Sequence, residues 1–195
     1  MTNIKFLAGV CALAGAAISA QGAFIAGAGS WGSYTGSLSY SAGTSELTIV
    51  LKNTSPALNG GFITGFVFNI MSADAGAFST LITFTHPFLN LFNESASPYG
   101  NYKGGAALGG DWLGGGSPNA GIAVGATGTF VFKITASDAG SLTDASFLSI
   151  PNASEAFLVR FKGFVNGESD KVTIPAPGAF ALLGLGGLVA ARRRR

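Results

Sequence analysis

Charge, sulfur and imidazole are scarce in this 195-residue chain: 10% of its residues are charged, and it has one cysteine, Cys11, and one histidine, His86. Each scarcity excludes something. A single thiol cannot close an internal disulfide, so the fold must hold through its core alone. One His with no second His or Cys near it cannot complete an N/S metal site. Ser-His-Asp catalysis would have to use His86, in "FTHPF", and no G-x-S-x-G elbow is present to hold a serine. So few charges do not suit a soluble helical protein, whose exposed faces carry many more. The formal charge of +2 also misleads. Lys5 lies near the N-terminus and Arg192, Arg193, Arg194 and Arg195 at the C-terminus. Without these five, six basic residues face nine acidic ones, a balance of about −3. Nucleic-acid binding needs a concentrated cationic face, so no nucleic-acid partner is expected.

The chain is instead rich in glycine (30 residues) and phenylalanine (16 residues), with 48% hydrophobic content. It is long enough for one domain with a real core. From Ala23 to Thr173 the hydrophobic period is two. "ELTIVLKN" sets Leu47, Ile49 and Leu51 on one face, "GFVFNI" Phe66, Phe68 and Ile70, "TFVFKI" Phe130, Phe132 and Ile134, and "FLVRFKG" Phe157, Val159 and Phe161 opposite Arg160 and Lys162. Such alternation marks strands with one buried face. Weaker strands are expected near Ser37–Tyr40, Leu81–Thr85, Ala145–Ile150 and Lys171–Ile174. About eight short strands joined by Gly-, Ser- and Asn-rich turns predict an all-β fold, a single antiparallel β-sandwich of jelly-roll or Ig-like kind.

An internal echo runs through the body. "GFVFNIMSADAGAF" (Gly65–Phe78) aligns with "TFVFKITASDAGSL" (Thr129–Leu142) at an offset of 64. The structural reading is two similar strand-then-turn units, with Asp74 and Asp138 accepting backbone N–H bonds and Gly76 and Gly140 free to take positive φ. Calcium ligation by the aspartates is the alternative, though neither segment clusters the several oxygens calcium requires. Between the units, Asn93 to Gly125 reads as the least strand-like part and places Tyr99, Tyr102 and Trp112 near Asp111 and Lys103. Such a loop either stacks its aromatic rings on sugars or folds them back to cover an open edge of the sandwich. Asp111 and Glu94 are the one carboxylate pair in it that glycoside hydrolysis could use. "GAGSWG" (Gly27–Gly32) spells G-x-G-x-x-G but directly follows the signal segment, with no strand before it and no helix opening after it, so no phosphate site is expected there.

The two ends differ from the body. "MTNIKFLAGVCALAGAAISAQGA" has one positive charge, an apolar stretch from Phe6 to Ile18 and small residues after it, the layout of a secretory signal peptide over residues 1–22, cleaved after Ala20 or Gly22. Val10, before Cys11, is not the small residue a lipidation site carries. At the other end, "IPAPGAFALLGLGGLVAARRRR" combines two prolines, 13 uncharged residues from Ala179 to Ala191 and four arginines. The apolar run falls short of the ~20 residues a spanning helix needs, and the arginines act as stop-transfer charges. This three-part tail over 174–195 resembles the PEP-CTERM sorting signal of Gram-negative bacteria. Pro175, Ala176 and Pro177 match the motif by position, with Ala176 where the family usually has glutamate. The resemblance implies an exosortase-type membrane protease as partner, beside the Sec machinery and signal peptidase. It also implies transient inner-membrane retention and delivery to the cell surface or exterior, often alongside exopolysaccharide. The expected protein is an exported, non-enzymatic surface or matrix protein without a cofactor. A glycan-binding module using Tyr99, Tyr102, Asp111 and Trp112 is the alternative, and a secreted hydrolase the third.

Overall fold

A computed structural model describes residues 22–113, 115–150 and 153–174. The expected signal helix and the sorting tail from Pro175 onward, with its arginines, lie outside the described residues. What is described is all-β. Eleven strands are joined by turns and four short 3₁₀ segments: β1 (Ala23–Ala28), β2 (Ser33–Ser41), β3 (Glu46–Asn53), β4 (Gly60–Phe68), β5 (Phe78–Phe84), β6 (Leu89–Ser95), β7 (Asn101–Ala107), β8 (Ile122–Ala123), β9 (Thr127–Thr135), β10 (Phe157–Phe164) and β11 (Asp170–Thr173). No described helix is long and apolar enough to cross a membrane.

The strands form two antiparallel sheets. One has the order β1-β2-β3-β9-β5, the other β11-β10-β4-β7-β6 with β8 also against β4. Period-two alternation puts the phenylalanines of both sheets into one core, where dispersion and burial stabilise most. Phe66 of β4 lies 4.9 Å from Phe130 and 6.0 Å from Phe132 of β9, and Phe68 meets Phe132 edge-on at 5.1 Å. Leu47, Ile49, Leu51, Phe157, Val159 and Phe161 complete this layer.

The echoed units pack reciprocally. Each begins with a strand in one sheet and crosses to the other: β4 leads to β5, and β9 leads to β10. The crossing strand then pairs with the first strand of the other unit, β10 with β4 and β5 with β9. Both pairings shift register mid-strand, with Ile82 of β5 the extra residue in one and Thr64 of β4 in the other.

Four local expectations are corrected. A strand does precede the G-x-G-x-x-G spelling: β1 runs into it, because its residues pair with β2. Ala145–Ile150 is not a strand. Asp144–Phe147 forms a 3₁₀ turn with a capping box between Thr143 and Ser146, because short polar side chains there bond to the backbone in place of a ladder. Neither Gly76 nor Gly140 takes positive φ. The stretch read as loop contains the end of β6 and all of β7 and β8. β7, "NYKGGAA", has small residues because it is wedged: a Cβ on Gly105 would sit 2.3 Å from the Phe66 carbonyl oxygen, and one on Gly104 2.3 Å from Ser79 Oγ. Glycine usually weakens a strand, and here it is what lets this one fit.

Candidate functional site

The aromatic segment is stapled to the outer face of the β4/β7/β10 sheet. Trp112 is fully buried (0% exposed) and Tyr102 nearly so, in a second apolar cluster with Val67, Leu91, Ala107 and Leu158, while Tyr99 packs half-buried at its margin. Two side chains hold Trp112 down through three contacts. Its N–H donates to Glu94 Oε1 at 3.1 Å, its carbonyl accepts from Arg160 Nη1 at 2.9 Å, and the Arg160 guanidinium lies 5.8 Å from its ring centroid. Lys162 Nζ donates to the Leu113 carbonyl. Burial lowers the Arg160 and Lys162 pKa values, with the Asp111 charge pulling the other way. Trp112 and Tyr102 therefore present no open ring to a sugar. Glu94 is engaged in fixing the loop, and Asp111 in balancing two cations.

The other sequence candidates are also placed. His86 Nδ1 and Thr85 Oγ1 are 3.1 Å apart and the imidazole lies near Phe88; burial lowers its pKa, favouring the neutral ring. Asp74 and Asp138 bond to each other's units. Asp74 Oδ2 accepts from the Ser137 N–H and Oδ1 from the Gly76 N–H, both at 2.8 Å. Asp138 Oδ2 accepts from the Ala73 N–H at 2.8 Å and Oδ1 from the Ser72 hydroxyl. These bonds, backbone N–H donors first for Asp74 and the Ser72 hydroxyl first for Asp138, hold both carboxyls below the usual pKa. Among the described residues no group of three or more His, Cys, Asp or Glu is placed to hold a metal.

Two surfaces remain open. At the β6–β7 hairpin, Asn93, Asn101, Tyr102 and Lys103 line a groove of about 470 Å³. Lys103 Nζ donates to the Ala75 carbonyl, while the amides of Asn93 and Asn101 have no hydrogen-bond partner among the described residues. Asn93 sits at φ 50, and Phe92 beside it is 57% exposed, edge-on to Phe78.

The second surface is one that sequence reasoning missed. Three neighbouring turns each carry a large apolar residue outward: Trp31 (40% exposed), Leu58 (93%) and Val165 (82%). Asn59 links the three turns, its Nδ2 donating to the Trp31 carbonyl at 3.0 Å and its carbonyl accepting from the Val165 N–H at 3.0 Å. The G-x-G-x-x-G spelling falls in the first turn. Its Trp31 and Gly32 N–H groups, at 2.9 and 3.0 Å, donate to Asp170 Oδ2, so the chain's own carboxylate occupies this small anion cradle. The available signal was one of composition: "GSWGS", "SPALNG" and "FVNGE" each set a large apolar residue in a turn where a polar one is usual. Compared with known proteins, the chain matches no family model, no curated protein and no solved structure.

Proposed function

We propose that this is an exported, non-enzymatic surface or matrix protein: a β-sandwich body carried between a signal peptide and a PEP-CTERM-like sorting tail. The observation that supports it most directly is the course of the chain at its two ends. β1 runs toward the Trp31 turn, whereas β11 starts at that turn with Asp170 and runs back beside β1, placing Val172 and Thr173 next to Gly27. The described strands therefore begin at Ala23 and end at Thr173 on the side away from the Trp31 turn, as suits a body held from one side. Intact-mass analysis of the protein recovered from the cell surface or medium tests this. The expected mass lacks residues 1–22 and everything after about Pro177, and a mass retaining the four arginines refutes the sorting tail.

Glycan binding is the second reading, moved from the buried Trp112 to the hairpin groove. Two unpartnered amides beside an exposed Phe92 offer a sugar both hydrogen bonds and an apolar face. In a binding assay with soluble matrix polysaccharides, Asn93→Ala/Asn101→Ala is expected to weaken binding about tenfold, roughly one kcal/mol or a little more. Equal affinity of this variant and the parent chain rejects the groove.

A further inference from the structure

The geometry of the three turns points to a lipid surface as a docking partner, entered by Trp31, Leu58 and Val165. Three observations favour a fluid apolar phase over a shaped partner. First, the apolar residues stand on separate tips, with Leu58 and Val165 almost fully exposed. A rigid partner would need a matching pocket for each; an acyl layer needs none. Second, the turns carry almost no charge. Gly27–Ser33 and Asn53–Gly61 contain no charged residue, and the Val165 turn has Glu168 and then Asp170, which is engaged by the Trp31 turn. Third, part of the tip backbone is satisfied internally, and this matters because a bare N–H or C=O is costly in hydrocarbon. The Trp31 and Gly32 N–H groups donate to Asp170, and the Trp31 carbonyl accepts from Asn59. Gly29 donates to the Gly32 carbonyl, Asn59 to Pro56, Gly60 to Ala57, Val165 to Asn59 and Gly167 to Phe164. Few side-chain donors remain free there for sugar hydroxyls, so a glycan suits this end less well than the hairpin groove.

The docking is weak and reversible, on the order of a single acyl chain's affinity of about 10⁴ M⁻¹. The inference concerns this end of the body alone and does not depend on how the tail is processed.

The full chain is mixed with phosphatidylcholine vesicles, with and without brominated acyl chains. Trp112 is buried and serves as the unquenched background, so the signal is Trp31. The expected result is quenching and a blue shift of the Trp31 emission. Leu58→Asp/Val165→Asp, two exposed positions whose change leaves the core packing and circular dichroism intact, should lower the quenching at least about tenfold at fixed lipid. Unquenched Trp31 emission overturns the proposal. So does equal quenching in the double variant, which would place insertion elsewhere. A Trp31 response to soluble polysaccharide but not to vesicles would overturn it in favour of a glycan platform.

Discussion

At the scale of single residues, the carboxylates are structural clasps. Asp74 and Asp138 each satisfy N–H groups in the other's turn, and their depressed pKa values tie that clasp to pH. The sign follows from linkage: a carboxyl with a folded-state pKa below its unfolded one stabilises fully above the unfolded value and loses that contribution as pH falls through the folded one. The ordinary value is 3.8, so stability should decline below about pH 4. Thermal melts between pH 5 and 2 should show a shallower acid-side fall for Asp74→Asn/Asp138→Asn than for the parent, and superimposable slopes would discount the clasp. The Asp-Ala-Gly repetition in the sequence revealed that these residues shape turns. It was silent on their partners, because the two turns lie 64 positions apart and only the tertiary fold brings them together.

At the scale of elements, β7 carries the clearest constraint. Its glycines admit β4 on one side, and a methyl group at position 105 would press on the backbone oxygen of Phe66, which cannot move aside as a flexible side chain would. Gly105→Ala should cost roughly 2–3 kcal/mol in denaturant unfolding of the full chain, as overpacking does. Gly43→Ala, where an added Cβ meets nothing within 4 Å, should be near neutral. Equal midpoints for the two variants would contradict the wedged-strand account. The strands with large alternating residues, β3, β4, β9 and β10, were legible in the sequence because their burial pattern is their hydrophobic pattern. β7 was not, since a strand filled with Gly and Ala for want of space reads like a turn. Trp112 marks the same limit. Its ring looked like a ligand platform until Arg160, Glu94 and the small residues of β7 were seen to make room for it and hold it.

At the scale of the whole molecule, the Trp31 end lies apart from the buried aromatic segment that seemed richest in chemistry, whereas the hairpin groove adjoins that segment through Tyr102. The hairpin groove and the Trp31 end are set by which turns the topology brings together, and turn neighbourhoods are invisible to periodicity. The reciprocal pairing of the two echoed units has a further consequence, for the order in which the molecule can be made. Phe68 pairs with Phe157, and Glu46 with Lys133, so the central strands of both sheets wait for partners from the last third of the body. The β1–β2–β3 meander and the β6–β7 hairpin can form early, but the phenylalanine layer cannot close without β9 and β10. Long-range pairing of this kind makes closure slow. A chain threaded N-terminus first, from a ribosome or through a channel, therefore stays open until residue 164 has emerged, with no finished core behind it to jam the passage or resist being drawn through.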